Sequence, residues 1–244
     1  MEGTTMLETF IQQWLIMSDY DYTVDDRFVQ KARAYGVDFN EQYVAIVVEG
    51  NRSQLPNQRL AFDLDHLRRV YIFPLTGVHE FLATLPGHVL AGVSRPHFDL
   101  SKSIKEAVFA LALTSPVIDE MKTVFYEDIA DLAQVVEAGV AYPQVEQFLK
   151  DRVDEEVQVT LWLYGTLGHS MSELSDTLHV HRRTVQYRLD KIAQSTDLNP
   201  RVPAEIVPLL VSYMRLKTVL IVPALTAQLK RLTTGLQARD VATS

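Results

Sequence analysis

Apolar residues recur at helical spacing over Met6–Met17 (Met6, Leu7, Phe10, Ile11, Trp14, Leu15) and over Asp25–Tyr35 (Phe28, Val29, Ala32, Tyr35), where Gly36 follows. Two helices are therefore expected to open the chain. The period then changes. Tyr43–Val48 is an unbroken apolar run rich in β-branched residues and closed by Gly50 and Asn51, the pattern of a strand buried on both faces. Arg69–Leu75, with Val70, Tyr71, Ile72 and Phe73 ahead of Pro74 and Gly77, predicts a second strand. His88–Ser94, with Gly92 inside it, predicts a third, and Val124–Tyr126 a last one. Among them, His79–Leu85 reads as a short helix halted by Pro86-Gly87. Ser101–Leu113 reads as an amphipathic helix with Ile104, Ala107, Val108, Leu111 and Ala112 on one face and Ser101 or Ser103 suited to its start.

From Ile129 onward the strand signal ends, and Leu132, Val135 and Val136, then Val145, Phe148 and Leu149, then Val157, Thr160, Leu161 and Tyr164 all fall at helical spacing. The expected fold class is α+β: a small mixed-sheet domain followed by an all-α domain. The expected segments are 1–40 (lead-in helices), 41–128 (sheet domain) and 129–244 (helical domain), with the boundary between Asp128 and Pro143 and no internal repeat.

Within the helical half, Ser170 and Glu173 have the spacing of a capping box and open a helix Met171–Leu178. A second helix begins after only His179 and Val180, with Val185, Leu189 and Ile192 at i, i+4 and i+7. Two short helices joined by so tight a turn form a helix-turn-helix over 170–193. With those three apolar residues inward, Arg182, Arg183 and Gln186 project from the start of the second helix, where a recognition helix meets base edges. Arginine grips guanine O6 and N7 and glutamine grips adenine N6 and N7, each worth roughly 1–3 kcal/mol of discrimination. Thr184, Tyr187 and Arg188 have the chemistry for phosphates, and His181 starts the helix. The same pattern also fits an ordinary helical hairpin with a solvated basic face.

Composition narrows the class. With 244 residues, 47% hydrophobic and 22% charged, the chain is globular rather than collagen-like or disordered. The absence of cysteine excludes disulfides, thiolate metal sites and a cysteine nucleophile, and fits the cytoplasm. Met1–Ile11, carrying Glu2 and Glu8, lacks the basic and apolar regions of a signal peptide. In the C-terminal third the longest apolar run, Val219–Leu225, is interrupted by Pro223 and falls far short of the roughly 20 residues that span a bilayer, so no membrane segment is expected. Net charge is −8, but His179–Arg201 holds Arg182, Arg183, Arg188, Lys191 and Arg201 against Asp190 and Asp197, a +3 segment in a remainder of −11.

The stretch His181-Arg182-Arg183-Thr184-Val185-Gln186-Tyr187-Arg188-Leu189, continuing to Lys191-Ile192 and Thr196-Asp197-Leu198, closely resembles the C-terminal helix-turn-helix signature of the PucR/CdaR family of bacterial regulators of sugar-diacid and purine catabolism. Upstream, Ala91-Gly92-Val93-Ser94-Arg95-Pro96, the Ser103–Ala110 helix and Val124-Phe125-Tyr126-Glu127-Asp128 look like the family's central GGDEF-like domain, and Met6–Asp38 like its lead-in helices. The resemblance implies a non-enzymatic, sequence-specific regulator of a catabolic operon that binds double-stranded DNA as a homodimer under a small-molecule effector. Two positions depart from it: the family usually has Asn where Arg183 stands and a basic residue where Gln186 stands. The family's usual N-terminal sensing domain is expected to be lacking, the chain beginning after that point, which makes this either a short member or one whose ligand site lies in the central domain. The alternative is a ligand-sensing or protein-interaction module whose helix-turn-helix no longer binds DNA.

Rival chemistries find little support. Asp63-Leu64-Asp65-His66 offers paired carboxylates for Mg²⁺, yet no two glycines are adjacent to form a nucleotide-phosphate turn, and Asp63 and Asp65 read as solvated loop acids. His79, His88 and His97 fall in separate elements, as expected of a chain with no metal site and no cofactor. Ser94 lacks a nucleophile-elbow setting, Pro96 standing where a glycine belongs. Finally, Ala204–Leu236 carries Ile206, Leu209, Leu210, Tyr213, Met214, Leu216, Leu220, Ile221, Leu225 and Leu229, with interruptions expected at Pro208 and Pro223. It either completes the helical core or forms a dimer interface.

Overall fold

The computed structural model describes residues 6–20, 25–166 and 170–240, so Glu2 of the leader argument lies outside the described residues. They fold as a five-stranded mixed sheet with helices, followed by a helical region, which is the α+β class expected. Two compact units result, one of residues 1–128 with 221–244 and one of residues 129–220. The second division, after Leu220, has no counterpart in the segments drawn from sequence.

In the first unit, α1 (Met6–Tyr20) and α2 (Asp26–Ala34) precede the sheet. The Asp25 carboxylate accepts the Phe28 N–H at 2.7 Å and so caps α2. The strands are β1 (Tyr43–Glu49), β2 (Ala61–Asp63), β3 (Arg68–Pro74), β4 (Leu90–Val93) and β5 (Thr123–Phe125), in the order β2-β3-β1-β4-β5. All neighbours are antiparallel except β4 and β5. Central β1 alternates between two cores, which is why its sequence is apolar throughout. Tyr43, Ala45 and Val47 face a cluster with Phe10, Trp14, Ile104 and Ala107, whereas Val44, Ile46 and Val48 face one with Tyr71, Phe81 and Val93. Between β3 and β5 lie α3 (Val78–Ala83) and α4 (Leu100–Leu111).

Strand β2 went unforeseen, since three residues are too few to display a period. Its hairpin also corrects the reading of Asp63 and Asp65 as solvated acids. Asp63 is ion-paired with Arg52 and lies 3.7 Å from Arg69. Asp65 accepts the N–H groups of Leu67 and Arg68 at 2.8 and 2.9 Å and pairs with the Arg68 guanidinium at 2.9 Å. Burial alone would raise the Asp65 carboxyl, but the N–H donors and Arg68 outweigh it and hold the group below its ordinary value. The turn is thus organised by these carboxylates.

On α4, Glu106 is buried and accepts from Arg95 Nη2 at 2.7 Å and from the Arg95 N–H at 3.1 Å, while His97 Nε2 lies 2.8 Å from its second oxygen. Desolvation pushes the carboxyl up, and Arg95 and His97 bring it net below its ordinary value. The Arg95 guanidinium also lies over the Tyr126 ring at 5.0 Å. The three spaced histidines do not converge. His79 lies beside the Phe125 ring, His88 Nε2 is 2.9 Å from Gln54 Oε1, and His97 belongs to the Glu106 cluster.

Helix α5 (Tyr126–Glu137) leads to α6 (Pro143–Arg152), α7 (Glu155–Thr166), α8 (Met171–Thr177), α9 (Arg182–Thr196) and α10 (Pro203–Asp240). The expected interruptions at Pro208 and Pro223 are absent, and α10 runs through both. Each proline removes one helical hydrogen bond, but the carbonyls left over belong to Ala204 and Val219, both exposed, where water can bind them. Continuity also alters the membrane arithmetic: Pro203–Arg231 is long and apolar enough to cross a bilayer by length and composition. Its Leu209, Val211, Tyr213 and Met214 are buried in protein, and Arg215 pairs with Glu146 at 2.6 Å. Buried Tyr213 stacks on Trp162 with ring centroids 5.3 Å apart.

Candidate nucleic-acid interface

Helix α9 packs against α6, α7 and α8. Val185, Leu189, Ile192 and Thr196 are its buried residues, a stripe at i, i+4, i+7 and i+11 that meets a core containing Leu174, Val157 and Leu161. α7 is buried almost all round, from Val157 to Tyr164, and serves as the central post of the unit.

The turn between α8 and α9 is tightly specified. Ser170 Oγ accepts the Glu173 N–H at 3.3 Å, capping α8 as its spacing implies. At the other end His179 is left-handed, with φ 50°. The His179 N–H donates to Asp176 O and the Val180 N–H to Ser175 O, the paired bonds of a Schellman motif with histidine in the position that favours glycine. Val180 is half-buried, as an apolar turn residue should be. His181 then caps α9, its Nδ1 accepting the Arg183 N–H at 3.2 Å.

The residues picked out from sequence separate into two groups. Arg182, Arg183, Gln186 and Tyr187 are exposed at the start of α9, Tyr187 to 64%. Thr184 is half-buried beside them. Arg188 departs from the expectation of a phosphate contact. Its side chain is only 12% exposed, ion-paired with Glu156, and donates to Thr160 Oγ1 at 3.2 Å, so it ties α9 to α7.

The other cations of the basic segment are engaged too. Lys191 pairs with Asp154, which raises the ammonium and lowers the carboxyl. Arg201 pairs with Asp190 at 2.8 Å and reaches Gln186 O at 3.4 Å. Among the described residues, Arg182 and Arg183 enter no ion pair. Nor is there an acid in the first turn of α9, whereas α2, α5, α7, α8 and α10 each have one. Two guanidinium groups at a helix N-terminus oppose the macrodipole and are unfavourable for the isolated fold. Together with the positive end of the helix dipole, they make a concentrated anion-facing end.

The acids that neutralise Arg188 and Lys191 lay more than 30 positions away and were missed. Their signal was the acidic run Asp154-Glu155-Glu156 at the start of a helical period.

Comparison with known proteins bears on this same region. Residues 159–214 match the family model described as the PucR C-terminal helix-turn-helix domain. No curated protein matches the chain. Among solved structures, the regulator of polyketide synthase expression from Bifidobacterium adolescentis is similar at 15% identity over 89% of this chain and 95% of that one, with a TM-score of 0.36. The segment from within α7 to within α10, with α8, the His179 turn and α9 between them, is a PucR-type helix-turn-helix domain.

Proposed function

We propose that this chain is a sequence-specific, DNA-binding transcriptional regulator of the PucR/CdaR type. It acts in the cytoplasm as a homodimer, and its sheet unit is a GGDEF-like domain through which a small-molecule effector sets the spacing of two recognition helices over a catabolic operon's control region. The observation that carries the reading is the state of the cations in the basic segment His179–Arg201. Three of the five in the basic segment are neutralised within the protein, and the two left free, Arg182 and Arg183, stand at the end of the helix that enters a major groove. Gln186 and Tyr187 lie on the next turn, exposed and in reach of base edge and backbone. The basic segment is small within a chain of net charge −8, which supports binding by two linked modules rather than one. This reading places no reaction on the chain, Asp63 and Asp65 being taken up by arginines.

The test is an electrophoretic mobility shift on the intergenic DNA beside the chain's own gene, with excess nonspecific competitor. Wild-type protein is expected to give a competitor-resistant shift. The double variant Arg182→Ala, Arg183→Ala is expected to lose it about fivefold or more per arginine while keeping its circular dichroism and melting profile. Full binding by the folded double variant refutes the assignment.

A further inference from the structure

Three consecutive acids at the start of α7 each hold a cation from elsewhere in the helical unit. Asp154 pairs with Lys191, Glu155 with Lys217 at 2.8 Å, and Glu156 with Arg188. Resting on the DNA-binding reading above, we propose that Asp154 and Glu156 occupy the places of DNA phosphates, withholding Lys191 and Arg188 from the duplex so that binding depends on the start of α9.

The placement supports this. Thr184, Arg188 and Lys191 form one stripe of α9, at i, i+4 and i+7, flanking the outward face that carries Arg183, Gln186, Tyr187 and Asp190. That stripe runs beside the end offered to DNA, and its cations would otherwise follow a phosphate backbone. Each is instead met by a carboxylate, which satisfies the same guanidinium or ammonium donors that a phosphate oxygen would.

The acids hold α9 against α7, and because they themselves face water they can be neutralised without burying an unpaired carboxyl. Asp154 and Glu156 are 74% and 78% exposed, so each carboxylate keeps most of its hydration, while Lys191 and Arg188 are 29% and 12% exposed. Nonspecific affinity grows with every cation given to a phosphate, so an internal acid that retains a cation lowers affinity for all sequences alike and leaves base reading untouched. The acids thereby weaken binding to bulk DNA while the ratio between operator and other sequences stays where base contacts set it. Glu155 provides a built-in comparison, because its partner Lys217 lies on α10 rather than on α9.

Fluorescence anisotropy with the full chain and a labelled duplex lacking any operator tests the inference over 50–200 mM KCl. Asp154→Asn and Glu156→Gln are each expected to steepen the slope of log affinity against log salt by about 0.9. The gain in affinity on a fourfold dilution of salt then rises about 3.5-fold for one variant and about 12-fold for both. Adding Arg188→Gln to Glu156→Gln removes that variant's gain, and Glu155→Gln leaves the slope at the wild-type value. Melting curves establish that each variant is folded; Asn and Gln keep size and hydrogen bonding at exposed positions. If wild type binds and the Asp154 and Glu156 variants keep its slope or weaken it, the inference is overturned and the DNA-binding reading stands. If neither wild type nor variants bind this duplex at any salt, the inference is overturned, and the DNA-binding reading falls with it only where the operator shift also fails.

Discussion

Gly92 lies in β4 where α4 crosses the sheet, and a methyl group added there has nowhere to go. A Cβ at this position would lie 2.1 Å from Ala107 O, 2.3 Å from Leu111 N and 2.8 Å from Leu111 Cα. All three are backbone atoms of α4 or its end, so no side-chain rotation relieves the contact. Bringing carbon and oxygen to about 3.3 Å apart requires the helix to retreat by roughly 1.2 Å. The same helix inserts Leu100, Ile104, Ala107, Val108 and Leu111 into the core shared with β1 and α1, and a gap of that size forfeits a quarter to a half of each contact's attraction. Gly92→Ala is therefore expected to cost about 3 kcal/mol or more, at or above the upper end for overpacked cores. For a chain of this length the melting temperature should fall by roughly 6–12 °C. Gly87, whose added Cβ would meet nothing within 4 Å, is the control, and Gly87→Ala should stay within about 0.5 kcal/mol. Urea and thermal unfolding followed by circular dichroism give both values. A Gly92→Ala protein that melts with the wild type refutes the close-approach argument.

Two further outcomes follow from the geometry. Because the Glu106 carboxyl is held below its ordinary value of 4.5, its contribution is complete above that pH and is lost as pH falls through the lowered folded value. Glu106→Gln should cost about 2–3 kcal/mol at neutral pH and show a flatter acid limb, and urea midpoints from pH 3 to 7 that fall in parallel for both proteins would remove Glu106 from the account. His179→Gly, which relieves a left-handed histidine in the helix-turn-helix turn, should stabilise the helical unit by about 0.5–1 kcal/mol; a lower melting temperature contradicts the strain assigned there.

Features written in neighbouring residues were legible. The unbroken apolar run of β1 announced a strand between two cores, and the capping serine, the two-residue turn and the Val185, Leu189, Ile192 spacing gave both helices of the helix-turn-helix. What depends on distant partners was not. Arg188 has the chemistry of a phosphate ligand, and only the arrival of Glu156 from 32 positions away converts it into a brace. Strand β2 exists because β3 offers it a partner at Tyr71, Val70 and Arg69, a property of the sheet rather than of Ala61–Asp63. Likewise, Pro208 and Pro223 carry a strong local signal against helix, and the packing of Ile206, Leu209, Leu210, Leu225 and Leu229 along α10 overrides it.

The two outermost strands of the sheet, β2 and β5, have three residues apiece. An edge that short exposes only a couple of backbone donors and acceptors, too few to template a strand from another molecule, and on the β2 side the Arg52, Asp63 and Arg69 charges add a desolvation penalty to any such approach. The sheet is thus guarded against fibre-like growth and strand exchange.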